Sequence, residues 1–375
     1  MINFVSNLPK DLRSGGFSAM NAAAFSAISR YISSRYIGPI NPPVIATQKV
    51  RSKLRRILGW EGSFFFFSEH RLNEIARQVR LMCQSDASLD FFHGFTPWIL
   101  TRPPRPYMAW SDCTFRDCID IFHRREQFCS EDLERIEQAE AAWLKNARRV
   151  LFTSKWAAER AVRDYGLDAN CVGSVGIFGE TEMPARDAYA AGKEFAFVST
   201  NFEGKGGGIV LAAFRAVRKR HPDALLTIVG DRPARAVLEP GVTCTGFLRK
   251  EIPDEYRLFQ DILGRVRALV NATSADICPL LFIEAGYVGC PVISTRKFAI
   301  PEIIDDRHTG LLLDDLSHSS VASAMNWMLE HTGEYQEMRQ AAWNKTRSQH
   351  SKTQFEARLR LYLNQVISTG RLLVV

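Results

Sequence analysis

Short runs rich in Val, Ile, Leu and Phe alternate with helix-periodic segments along most of this chain, and that alternation restricts the fold more than any other feature. A strand that is followed by a helix returns to its sheet through a crossover. Neighbouring strands are then parallel, with helices covering the sheet faces. In the first half the candidate strands are Ile2–Val5, Phe64–Phe67, Phe91–His93, Tyr107–Trp110 and Val150–Thr153. In the second half they are Phe195–Ser199, Leu225–Val229, Ala268–Asn271, Val292–Ser294 and Gly310–Leu313. Two helices are delimited by their end signals: one capped by Ser154, running through Tyr165 and stopped by Gly166, and one from Gly208 to Arg220, closed by His221-Pro222.

At 375 residues the chain is long for one core and predicts two domains. Glycines 173, 176, 179 and 192 cluster with Pro184 between residues 173 and 193, and a new strand–loop–helix–strand unit starts at Phe195, so the boundary is expected there. Hydrophobic content of 46% and charged content of 24% suit a globular protein with a sizeable core. No uncharged apolar run reaches the ~18 residues a spanning helix needs. The start, Met1 to Pro9, lacks the basic and apolar regions of a signal peptide and reads as a first strand. The eight cysteines form no Cys-x2-Cys pair, which argues against zinc and for a reduced, cytoplasmic protein. The net charge of +7 implies an anionic partner: nucleotide phosphate, an acidic membrane surface or nucleic acid.

Four places carry chemistry. Residues 201–208, Asn-Phe-Glu-Gly-Lys-Gly-Gly-Gly, follow a strand and open a helix, where glycines admit a phosphate, helix-start N–H groups bind it and Lys205 adds a charge. A plain turn with a solvated lysine is the alternative. Gly15 and Gly16 form a second glycine turn after the first strand. Asp276 and Glu284 stand seven intervening residues apart, and Glu284 is read as opening a short helix that Gly289 and Pro291 end. An unpaired charge in so apolar a run costs several kcal/mol, which sets Glu284 apart from an ordinary solvated acid. His93 and Asp112 each follow a strand, where open α/β sheets carry ligands. His93 suits a structural role better, and Asp112 reads either as a site carboxylate or as a cap on a strand-end turn.

Together these segments resemble the retaining GT-B glycosyltransferases of family four, also called glycosyl transferases group 1. Asp276 to Ile293 is similar to their Glu-x7-Glu signature, which ends Glu-Ala-x-x-x-Gly-x-Pro-Val-Ile, with Asp here in first place. Ile300-Pro301-Glu302 and the turn at Gly310 also fit. The resemblance implies an α/β protein of two Rossmann-like domains facing a central cleft. Residues 1–178 would be the acceptor-binding domain and 179–351 the nucleotide-sugar-binding domain, with the C-terminal helix, about 352–375, packing back on the first.

The resemblance also implies roles. Asp112, Lys205, Asp276 and Glu284 would lie at the reacting centre. Lys205, with Gly206, would hold the donor diphosphate, while Gly204 stands where the motif often has Arg. Gly15 and Gly16 would face the diphosphate and the acceptor. Glu284 would accept ribose hydroxyls, and Asp276, with the backbone of Ile277, Cys278, Pro279 and Leu280, would contact the sugar. Relatives often carry a His at the place of Asp112. The implied reaction moves a sugar, with retention, from a nucleoside diphosphate sugar to a hydroxyl of a glycan, lipid-linked or polysaccharide-precursor acceptor. No cofactor or metal is expected, in keeping with the absence of any Asp-x-Asp. Many relatives work on the inner face of the cell membrane. The stretch Lys49 to Leu58, with Arg51, Lys53, Arg55 and Arg56, is cationic and amphipathic; it reads as a membrane contact or as a solvated surface helix beside a buried Phe strand.

Three other classes share parts of this pattern. A GT-B sugar-nucleotide epimerase shares the fold. A nicotinamide-dependent oxidoreductase would need Gly-x-Gly-x-x-Gly, which neither glycine loop has. Nucleic-acid binding rests on charge alone, without a recognised motif.

Overall fold

In the computed structural model, residues 1–11, 16–83, 86–187 and 192–371 are described. Their strands form two sheets of six, with parallel neighbours throughout. In the first sheet, β1 (Ile2–Val5), β2 (Ser34–Ile37), β3 (Leu89–His93), β4 (Tyr107–Ser111), β5 (Arg149–Phe152) and β6 (Val172–Ser174) lie in the order β2-β1-β3-β4-β5-β6. The second sheet holds β7 (Glu194–Ser199), β8 (Leu225–Gly230), β9 (Val242–Gly246), β10 (Ala268–Val270), β11 (Val292–Thr295) and β12 (Gly310–Leu313), ordered β12-β11-β10-β7-β8-β9. Two compact units result: Met1–Ile177 joined by the C-terminal segment from Phe355, and Phe178–Gln354.

Each unit has its own core. Strands β1 and β3 are buried at every position, as expected of parallel strands covered on both faces. The large fully buried side chains of the first unit include Phe4, Phe91, Phe92, Trp98 and Trp110, and those of the second include Phe195 and Phe197. The C-terminal helix Lys352–Arg371 places Phe355, Leu359 and Leu363 on one stripe at a spacing of four, all buried. Phe355 packs on Trp110 in the first unit at 5.4 Å between ring centroids.

Phe64–Phe67 is not a strand. Phe65–Phe67 is a 3-10 turn whose backbone groups are bonded to side chains instead of a ladder. Asp132 accepts the Phe64 N–H at 2.7 Å, while Arg71 and Arg135 donate to the Phe66 and Phe67 carbonyls at 2.7 and 2.9 Å. Conversely, β2, β6 and β9 are strands that the apolar-run criterion passes over. All three are sheet edges, so each needs only one neighbour and tolerates Ser, Arg, Gly and Thr.

Glu140 ties the loops at the carboxyl ends of β3 and β4 to the helices behind them. Fully buried, it accepts from the Thr96 hydroxyl (2.6 Å), the Phe115 N–H (2.6 Å) and the Tyr165 hydroxyl (2.9 Å). Burial pushes its carboxyl up to about 7. The folded protein then keeps a proton that the unfolded chain releases, so this group's contribution to stability weakens as pH rises from about 4.5 to about 7. Denaturant unfolding of wild type and Glu140→Gln across that range should show wild type losing on the order of 3 kcal/mol relative to the variant. Parallel stability profiles would show that Glu140 is ionised throughout.

Candidate functional site

In the second sheet β7 and β10 are neighbours, and the chain winds away from them in opposite directions. Such a switch point opens a crevice at the carboxyl ends of the strands. The loop after β7 enters this corner and is shaped by its own polar groups. Ser199 Oγ accepts the Asn201 N–H (2.9 Å), Asn201 Oδ1 accepts the Gly204 N–H (2.9 Å), and Asp231 accepts the Phe202 N–H (3.3 Å). Gly206 then adopts φ +78°, and a Cβ there would run into the carbonyl of Ala272 in the loop after β10. This approach brings Lys205 Nζ to 2.7 Å from both Asp276 Oδ2 and the Ala275 carbonyl. Both side chains remain about a quarter exposed, at 27% and 26%. Burial raises the Asp276 carboxyl, and the Lys205 charge opposes that rise.

The loop offers fewer amides than its glycines suggest. The N–H groups of Gly204, Lys205, Gly206 and Gly207 donate within the loop, to Asn201 Oδ1 and to the carbonyls of Asn201, Glu203 and Phe202. The Lys205 charge is therefore the loop's main means of holding an anion.

Glu284 does not open its helix. The helix Leu280–Tyr287 starts after Pro279 and places Glu284 in the second turn, only 2% exposed. Its Oε1 accepts from Lys250 Nζ at 2.6 Å and from the Glu180 N–H at 3.0 Å, and Lys250 also lies 3.5 Å from Glu180 Oε2. Beside it, the Tyr287 hydroxyl accepts the Gly179 N–H (2.9 Å) and donates to the His350 carbonyl (2.6 Å). Two hydrogen-bonded groups, Lys205–Asp276 and Lys250–Glu284–Glu180, are thus joined by the segment from Asp276 to Glu284. Within it, Ile277 is buried, Cys278 and Leu280 are half-buried, and Pro279, lacking an N–H, contributes only its fixed φ. Lys250 and Glu180 carry no sequence signature. Lys250 could have been found only from its place in the loop beyond the carboxyl end of β9.

In the first unit the corresponding switch point lies between β1 and β3. Gly15 lies outside the described residues. Gly16, with φ +57°, starts the 3-10 turn Gly16–Ala19 that leads into the helix Met20–Tyr31. The Phe17 ring stacks on His93 at 4.5 Å, and Trp110 meets both rings edge-on. Burial drives the His93 imidazole down to about 3, so it is neutral; its Nε2 and the Trp110 Nε1 have no partner among the described residues. Asp112 follows β4 and accepts from the Ser111 hydroxyl at 3.3 Å; burial raises its carboxyl. It does not cap the next helix. Thr114 does, accepting the Asp117 N–H at 3.2 Å.

Among the described residues no group of three or more His, Cys, Asp or Glu is placed to hold a metal ion, and no helix is long and apolar enough to cross a membrane.

Two doubly wound parallel sheets in one chain match the GT-B fold. Solved structures agree. HepE of Anabaena in complex with UDP aligns over 97% of this chain and 99% of its own, with a TM-score of 0.65 and 14% identity. Sucrose-phosphate synthase of Thermosynechococcus elongatus aligns over 98% and 99%, with a TM-score of 0.67 and 13% identity. Residues 192–331, within the second unit, match the family model described as Glycosyl transferases group 1. GDP-mannose-dependent alpha-(1-6)-phosphatidylinositol monomannoside mannosyltransferase from Mycolicibacterium smegmatis is 24% identical over 135 residues, and that from Mycobacterium tuberculosis 28%. Each alignment takes in 33% of this chain and 35% of the relative, so the match spans about a third of the length of these curated relatives.

Two substitutions test this geometry. Gly206→Ala should destabilise the second unit by about 1–3 kcal/mol from backbone strain alone, with the Ala272 clash added. Lys250→Met should cost about 1–3 kcal/mol, because it leaves a buried carboxylate short of a charged donor, and adding Glu284→Gln should restore part of that loss. Denaturant midpoints of Gly206→Ala, Lys250→Met, Glu284→Gln and the Lys250→Met/Glu284→Gln pair measure both effects; strict additivity would show that Lys250 and Glu284 do not interact in solution.

Proposed function

We propose that this protein is a retaining glycosyltransferase that moves a sugar from a nucleoside diphosphate sugar to a hydroxyl acceptor without a metal ion. The observation that carries this reading is the Lys205–Asp276 contact at the β7/β10 switch point of a glycosyl transferases group 1 domain. An incoming diphosphate takes the Lys205 ammonium from Asp276, and the released carboxylate is then free to accept a sugar hydroxyl. Glu284 Oε1 is occupied by Lys250 and Glu180, which leaves Oε2 for the ribose hydroxyls. The lysine stabilises charge that grows on the leaving diphosphate, an electrostatic contribution that is larger in the transition state than in the ground state. The departing phosphate takes the acceptor proton, so no side-chain base is needed. Asp112, with Gly16 and the His93 corner, serves the acceptor side.

UDP, GDP, ADP and dTDP are the ligands to screen. At a hundredfold excess over its dissociation constant the correct one stabilises by about 2.7 kcal/mol, and a thermal shift with NAD alone would overturn the reading. Lys205→Ala should lower kcat about 10²–10³-fold with the matching donor, and EDTA should leave wild-type turnover unchanged. Donor consumed without any acceptor would favour an epimerase.

The acceptor is proposed to be lipid-linked and met at an anionic leaflet, in cell-envelope or surface-polysaccharide synthesis. In support, the named relatives act on a phosphatidylinositol mannoside, and the helix Ala46–Ile57 presents an unpartnered apolar face. Val50, Leu54 and Ile57, with Leu58 and Trp60 beyond, are each more than half exposed, while Ser52 on the inner side donates to the Ser63 carbonyl at 2.9 Å. Lys49, Arg51, Lys53 and Arg55 flank that face, which pairs charge with insertable surface. No strand buries it from behind, since Phe65–Phe67 is a turn. Cosedimentation with vesicles containing anionic lipid should be strong at low salt and fade as salt shortens the Debye length. Arg51→Gln/Lys53→Gln/Arg55→Gln should reduce it and leave nucleotide affinity intact; equal binding to neutral vesicles would refute the electrostatic part.

A further inference from the structure

Opposite His93 and Asp112, at the end of the first sheet where its strands begin, lies a cavity of about 1050 Å³ around the starts of β4, β5 and β6. Tyr107 and Trp143, packed 4.9 Å apart, are among its walls. Its charged lining is entirely cationic among the described residues: Arg102, Arg105, Lys145, Arg148 and Arg149. Two of these are already engaged. Arg105 pairs with the buried Asp90 at 3.0 Å, and Arg149 donates to the Asn170 carbonyl and, at 2.8 Å, to Gln365 Oε1. Arg102, Lys145 and Arg148 are exposed at the rim and form no ion pair among the described residues.

Elsewhere in this unit several arginines meet a carboxylate, as Arg125 does with Glu137 and Arg160 with Asp117. Cations gathered around a concave, partly apolar wall repel one another and focus a positive potential that a bound anion relieves. Pro103, Pro104 and Pro106 restrict the backbone bearing Arg102 and Arg105, so that segment has less freedom to lose when a ligand arrives. Guanidinium forks match phosphate oxygens in pairs, and Lys145 adds a point charge. The volume is far larger than one phosphate and lies at the upper end for small-molecule sites. We propose that this cavity binds a soluble ligand carrying several linked phosphate groups, at a site separate from the nucleotide site. The carboxyl ends of the strands, where open α/β sheets bind substrate, are at the opposite end of this sheet.

Inorganic tripolyphosphate is the probe, titrated calorimetrically into the full-length protein at fixed ionic strength. The expected result is one saturable site, weakened at least tenfold in Arg102→Gln/Lys145→Gln/Arg148→Gln. The three side chains are exposed, so that variant should keep the wild-type melting temperature; single Arg148→Gln provides a milder check in the same direction. Binding should survive Lys205→Ala and saturating nucleoside diphosphate. Absence of a saturable site, equal affinity in the triple variant, or equal affinity for orthophosphate overturns the proposal. So does displacement by nucleotide, which would assign the probe to the Lys205 corner. Loss of binding in Arg51→Gln/Lys53→Gln/Arg55→Gln would assign it to the Ala46–Ile57 helix and also overturn the proposal. Because the probe is neither donor nor acceptor, failure here leaves the glycosyltransferase reading standing.

Discussion

The close approach of Gly206 to the Ala272 carbonyl is the constraint on which the second unit's site depends. Two loops from strands far apart in sequence meet there because the sheet order makes β7 and β10 neighbours. A side chain at residue 206 would hold them apart, and φ +78° is a conformation that favours glycine. With that gap closed, Lys205 reaches Asp276 with normal hydrogen-bond geometry and takes the Ala275 carbonyl as a second acceptor. The surrounding polar groups serve the same end: Ser199, Asn201 and Asp231 consume the loop's N–H groups and so fix its path. Rigidity of the loop and scarcity of free amides are two consequences of one arrangement.

Buried carboxylates in this protein are treated in different ways. Glu284 is held by a lysine and a backbone N–H on a single oxygen, a geometry that keeps an acceptor available. Glu140, with three neutral donors and no cation among them, titrates near neutrality because burial outweighs its hydrogen bonds. Asp276 stands between these cases, raised by burial and opposed by one lysine. The first and third are the carboxylates that the proposed function assigns to ligand binding. The second is a structural tie.

The alternation of apolar runs and helix-periodic segments was enough to read the central strands, since parallel strands covered on both faces must be apolar along their length. The Ser154-capped helix was equally legible: Ser154 accepts the Ala157 N–H at 3.2 Å, and Gly166 ends the helix in the left-handed region. Edge strands β2, β6 and β9 were not legible because one paired side relaxes the demand for apolar residues. Phe64–Phe67 misled for the opposite reason, its apolarity serving ring packing on Phe115 and Phe128 while Asp132, Arg71 and Arg135 satisfy the backbone. Lys205, Asp276 and Glu284 stood out in the sequence because glycines and apolar neighbours mark them. Lys250 and Glu180 did not, since a charged residue in a polar loop looks like any solvated one until the fold supplies its partner.

In the proposed reaction the lysine at the switch point serves two states, paired first with Asp276 and then with a diphosphate. Without ligand, Asp276 neutralises it, so the corner does not hold an uncompensated cation in a partly buried place. A diphosphate carries more charge than one carboxylate and accepts hydrogen bonds from several directions, so exchanging Asp276 for phosphate is favourable in Coulomb terms, although desolvation offsets much of the gain. In the proposed reaction this exchange releases Asp276 to accept a sugar hydroxyl. An arginine would make that exchange harder, because a bidentate fork grips a carboxylate more firmly than a point charge on a flexible stem does. A lone lysine beside an aspartate is therefore a weaker clasp than an arginine would make, and that suits the partner exchange proposed for this corner.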